Sequence, residues 1–125
     1  MYYIINVPNK EQVCRSMKII EWDKHARDTI RGFSKNIRFE IGKYLRQLQN
    51  GENLSRTISK QMSTIMSGAA EIRVKDKDGQ YRVFYFHKQA ERIIVFHAFV
   101  KKTQKTPKKE LDTGRERLKN MLRKD

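Results

Sequence analysis

EIRVKDKDGQYRVFYFHKQAERIIVFHAFVKKTQK, residues 71–105, decides how this chain folds. Three segments rich in Val, Ile, Phe and Tyr are separated by the turn signals Asp76-Lys77-Asp78-Gly79 and Lys88-Gln89-Ala90-Glu91. That pattern predicts an antiparallel three-stranded meander. A two-residue loop at Asp78-Gly79 sets Lys75 opposite Arg82 and Arg73 opposite Phe84, whereas a four-residue loop sets Arg73 opposite Arg82. Either even-length loop leaves Arg73, Lys75 and Arg82 on one face. An even loop over Lys88 to Glu91 adds His97 to that face, opposite Arg82, with Val95 and Phe99 beside it. The other face carries Ile72, Val74, Tyr81, Val83, Tyr85, Ile94, Phe96, Ala98 and Val100. It reads as a core, and the first face as a cationic surface containing a histidine.

Working outward, Met17 to Trp22 has strand composition, and Asp23 supplies an N-cap for a helix directly after it. From Asp23 to Asn50 the period becomes helical. Ala26 and Ile30 form one short stripe, Phe33-Ser34 interrupts it, and Ile37, Ile41, Tyr44, Leu45 and Leu48 continue it to Gly51. Two helices or one kinked helix fit this run. Lys24, Arg27, Arg31, Lys35, Arg38, Lys43 and Arg46 lie off the stripe and read as a solvated helix face. Residues 51–70 are polar with scattered apolar positions and read as a loop with one irregular turn. Thr106-Pro107 opens a last helix, with Glu110 and Asp112 near the positive end of its dipole. Leu111, Gly114, Leu118, Met121 and Leu122 form its apolar stripe. The expected architecture is α+β: a small antiparallel sheet with two N-terminal helices and a C-terminal helix packed on one side of it. Residues 1–15 read as an N-terminal extension and residues 16–125 as one domain.

Across the 125 residues, 28 Lys and Arg against 14 Asp and Glu give a net charge of +14. This exceeds what solubility needs and implies a polyanionic partner. A signal-peptide pattern and a long apolar run are both missing, so a soluble, cytoplasmic protein with no membrane partner is expected. The single cysteine, Cys14, excludes an internal disulfide and a cysteine zinc site, and it reads as a reduced thiol. His25 and His87 have no metal-ligand spacing, so neither metal nor cofactor is expected.

The string EIRVKDKDGQYRVFYF, followed by IIVFHAFVKKTQKTPKKELDTGRERL, resembles the RelE/ParE superfamily of toxins from type II toxin-antitoxin systems, and within it the HigB-like, phage-related branch. The Gly-x-Tyr-Arg hairpin, the run His-Ala-Phe-Val-Lys-Lys and the helix opening Thr-Pro-Lys-Lys-Glu carry the resemblance together. It implies a RelE-like fold and a ribosome-dependent mRNA endoribonuclease that inhibits translation. It also implies a neighbouring antitoxin, in HigB systems commonly a helix-turn-helix protein of the HigA kind, through which alone operator DNA is bound. ParE relatives share the fold and poison DNA gyrase. A nucleic-acid-binding module without chemistry is a third reading, from charge alone.

Residue chemistry favours RNA cleavage among these. A ribonuclease without metal needs a base for the ribose 2′-hydroxyl, cations for the dianionic phosphorane, and an acid for the departing 5′-oxygen. The candidate catalytic residues are Arg73, Arg82, His97, Lys101 and Lys102. The resemblance implies that Arg82 falls where the family places a phosphate-stabilising arginine and Arg73 where it places a basic residue proposed as base or charge stabiliser; the planar forks of both suit a phosphate. His97 titrates near neutrality, and cationic neighbours favour its neutral, base-competent form. Lys101 and Lys102 are placed to stabilise charge or donate a proton. Lys75, Phe84, Lys105 and Lys108 are candidate RNA contacts, Phe84 by stacking on a base. Unlike RelE, the chain has no tyrosine after Tyr85. The plain alternatives are structural or antitoxin-contacting arginines, a core histidine, and lysines that only grip RNA; Tyr81 and Tyr85 read as core by parity.

Overall fold

The computed structural model describes residues 17–89, 91–101 and 106–123. The expected N-terminal extension, Cys14, Lys102 and Lys105 lie outside the described residues. Strand β1 (Ile19–Trp22) leads into α1 (Lys24–Arg31) and α2 (Lys35–Gln49). Strands β2 (Ser59–Gln61), β3 (Ala69–Asp76), β4 (Gly79–Lys88) and β5 (Arg92–Lys101) come next, and α3 (Lys108–Arg123) comes last.

Local chemistry explains the helical boundaries. The Asp23 carboxylate accepts the Ala26 amide at 2.9 Å and starts α1. Ser34 accepts the Ile37 amide at 3.4 Å and starts α2, so the break at Phe33-Ser34 makes two helices rather than a kinked one. Gly51, at φ +86°, lets the chain leave α2 through the left-handed region.

The sheet has five strands in the order β1-β5-β4-β3-β2. It is mixed, because β1 runs parallel to β5 while the other neighbours are antiparallel. Strand β2 arises inside the segment expected to be a loop, where Ser59–Gln61 pairs with Ala70–Ile72. Three residues with no apolar alternation gave that strand no pattern to be recognised by.

The hairpin between β3 and β4 takes the register in which Arg73 faces Arg82 and Lys75 faces Gln80. The β4–β5 pairing departs from expectation. Lys88 faces Arg92 and Tyr85 faces Val95, but Phe84 faces His97, so Phe96 is an extra residue in a β-bulge. The bulge sets Phe96 and His97 on the same face. Val95 moves to the α1/α2 side, among Ile72, Val83 and Tyr85, while Ile94 and Phe96 move to the side of the cations. His97 remains on the face of Arg73 and Arg82, although opposite Phe84 and not Arg82.

The helices also divide between the two faces, correcting the one-sided packing expected from sequence. Ala26, Ile30, Ile37, Ile41, Leu45 and Leu48 of α1 and α2 cover one face. Leu118 of α3 packs with Met62, Ile65, Phe84, Ile94, Phe96 and Phe99 on the other. Both faces therefore bury a core, and Arg73, Arg82 and Lys101 lie on the α3 face beside its core cluster.

Candidate active site

Strand alternation delivers Glu71 and Arg73 from β3, Gln80 and Arg82 from β4, and Lys101 from β5 to the face that α3 covers. Two arginines directly opposite in an antiparallel pair repel each other. The Glu71 carboxylate, 1% exposed, relieves that repulsion. Its Oε1 accepts Arg73 Nε at 3.3 Å and Arg82 Nη1 at 3.2 Å. Its Oε2 accepts the Thr106 hydroxyl at 3.3 Å, which ties the segment before α3 to the cluster. Arg82 Nη2 also donates to Gln80 Oε1 at 2.8 Å.

Burial separates the roles of the two arginines. Arg82 is 4% exposed, and desolvation lowers its pKa while Glu71 supports the charged form. The Arg73 side chain is 35% exposed. It lines a cavity of about 300 Å³ with Lys75, Gln80, Arg82 and Glu40 of α2, and a second of about 280 Å³ with Lys60, Thr106 and Leu111. Strand β2 stops opposite Ile72, so β3 past Arg73 presents an open edge beside the first cavity. An anion entering there meets a guanidinium already oriented by Glu71.

Lys101 faces Gln80 across the β4–β5 ladder and is 5% exposed. Burial first, then the charges of Arg82 and Arg73, lower its pKa to about 8. At neutral pH it is protonated and ready to give up the proton.

His97 lies elsewhere in function. It is 4% exposed beneath α3, where Arg117 Nη1 lies 2.9 Å from Nδ1 and Glu110 Oε1 lies 2.8 Å from Nε2. A guanidinium only donates, so Nδ1 accepts and the proton sits on Nε2, donated to Glu110. Burial first, then Arg117, lowers the imidazole pKa, although Glu110 opposes this. The neutral ring with both nitrogens engaged joins β5 to α3. Phe84 and Phe99, in edge contact at 5.4 Å across one diagonal of the strand pair, stand between His97 and Arg82 on the other. An exposed surface uniting both arginines with the imidazole is thus not what forms.

Phe84 is 0% exposed and sits under Gly114, so the expected base-stacking role is corrected to a packing role. Lys75 is exposed at the rim. Lys108, 86% exposed, forms an ion pair with Asp112 at 2.9 Å on the solvent side of α3. Sequence reasoning missed Glu71, Gln80 and Thr106. Glu71 had a visible signal, an acid two residues before Arg73 with the same parity, between Ala70 and Ile72.

A family model described as "Phage derived protein Gp49-like (DUF891)" matches residues 28–119. A solved structure of the E. coli toxin RelE, a double arginine-to-alanine variant in the free state, is similar in fold. Its TM-score is 0.57 at 17% identity, over 85% of this chain and 99% of that one. None of the curated proteins matches the sequence.

Proposed function

Because the chain belongs to the phage-derived Gp49-like family and has the RelE fold, we propose that it is the toxin of a type II toxin-antitoxin pair, acting as a ribosome-dependent mRNA endoribonuclease of the HigB-like kind. The observation that carries this reading is the Arg73–Arg82–Lys101 cluster, three cations gathered around one buried carboxylate with a lysine pKa near 8. Arg73 binds the scissile phosphate from the open edge, and Arg82, through Glu71, keeps that guanidinium oriented. The ribose 2′-oxygen forms a bond to phosphorus as its proton passes to solvent. The bond to the 5′-oxygen breaks, and Lys101 protonates that oxygen, leaving a cyclic phosphate and a free 5′-hydroxyl. Glu110 and Arg117 hold His97 as a positioning residue for α3. A cognate antitoxin of the HigA kind, ribosome and mRNA are the partners of this reading. The chain's charge suits the ribosome, and among the described residues no helix is long and apolar enough to cross a membrane.

The test is mapping of mRNA 5′ ends after brief induction. The expected result is new ends in phase with translated codons, absent for Lys101→Met and strongly reduced for Arg73→Ala. Unchanged mRNA with DNA breaks appearing first would replace this reading by gyrase poisoning.

A further inference from the structure

Helix α2 has a second face that neither the core nor the candidate active site uses. Lys35, Arg38, Phe39, Gly42 and Arg46 fall at i, i+3, i+4, i+7 and i+11, one stripe opposite the buried Ile37, Ile41, Leu45 and Leu48, with Lys43 alongside. All six are exposed. The one acid in α2, Glu40, is half-buried and faces Tyr44, so α2 itself contributes no carboxylate to the stripe. Phe39 is 73% exposed, more than Ile19, Trp22 or Val100.

Beside it lies a depression of about 400 Å³ lined by Arg38, Phe39, Gly42, Lys43 and Arg46. Gly42 is part of its lining, and a Cβ there would meet nothing within 4 Å. A mid-helix glycine weakens a helix, and no neighbour requires this one.

We infer that this stripe binds single-stranded RNA, with an unpaired base stacking on Phe39 over Gly42 and the phosphates paired with Arg38, Lys43 and Arg46. A lone aromatic among cations is the composition of a stacking platform for single strands. An amphipathic protein helix would need further apolar anchors at i+3, i+4 or i+7, and those positions hold Gly42, Lys43 and Arg46. A second copy of a chain of charge +14 is repelled. The choice of RNA over DNA rests on the proposed function. The stripe and the Arg73 cavity share no lining residue, although Glu40 of α2 borders that cavity, so a strand can be gripped by one without filling the other.

The experiment measures anisotropy of a labelled, unstructured 12-nucleotide RNA with the full chain carrying Lys101→Met, so that nothing is cut. Adding Phe39→Ala is expected to weaken binding about tenfold. Adding Arg38→Gln, Lys43→Gln and Arg46→Gln together is expected to reduce the salt slope by about 2. All four side chains are exposed, and circular dichroism should show unchanged folding. Unchanged affinity in both variants overturns the inference, as does equal binding of a blunt RNA duplex or of DNA of the same sequence. Loss of binding in these variants alongside uncut mRNA in the induction experiment would sink the proposed function and leave this site standing. In-phase cuts with unaltered binding would do the reverse.

Discussion

Arg73 and Arg82 share one carboxylate oxygen, yet substituting them has different consequences. Removing Arg82 leaves the buried Glu71 carboxylate with the half-exposed Arg73, the Thr106 hydroxyl and the field of Lys101. Arg82→Ala should therefore lower stability by about 3–5 kcal/mol. Arg73→Ala should cost about 1 kcal/mol or less while removing the phosphate contact. Urea unfolding of both variants checks this, and equal midpoints would contradict the assigned roles. Lys101 carries the clearest pH signature. With its pKa at about 8, the logarithm of the cleavage rate against pH should lose one unit of slope near pH 8. The same curve for Lys101→Arg, which stays protonated, should run through that region without a bend.

Two helical glycines give opposite forecasts for the same substitution. At Gly114 of α3 a Cβ would lie 2.8 Å from Phe84 Cδ2 and 3.0 Å from Cε2, against a ring that is itself fully buried. Gly114→Ala should force α3 off the sheet and cost about 1–3 kcal/mol. At Gly42 of α2 nothing opposes the added methyl, so Gly42→Ala should stabilise by about 0.5–1 kcal/mol. Thermal unfolding of the pair should show shifts of opposite sign. Both glycines occupy helical periods in the sequence. What lies above each one decides the outcome.

Stability of the folded protein against acid should depend on the link between α3 and the sheet. The pKa of His97 is lowered in the fold, so above about pH 6.5 the ring is neutral in folded and unfolded chains alike and its contribution is complete. As pH falls below that value the unfolded chain takes up the proton first, and stability is lost down to the lowered pKa. His97→Gln keeps an acceptor for Arg117 and a donor for Glu110 without titrating. Between pH 7 and pH 5 the wild type should lose more unfolding free energy than this variant. The groups facing the ring, Glu110, Arg117 and Asp23, are common to both.

Much of this protein was legible from composition and period. The meander, the cap at Asp23, the shared face of Arg73 and Arg82, and the RelE-like fold came from turn residues, alternation and motif, while the choice between the two hairpin registers and between two helices and one kinked helix did not. Local chemistry repeats wherever those residues occur, which is why a linear reading reaches it. The bulge at Phe96 escaped because Ile93 to Phe96 are apolar on both faces, so a change of parity leaves no mark in the pattern. The side of the sheet taken by α3 escaped for a related reason, since both faces offered apolar rows. Those two long-range choices buried His97 and Phe84 and brought Thr106 to Glu71. They depend on how side chains fill space between segments distant in the chain, a balance of packing that exists only once the elements meet.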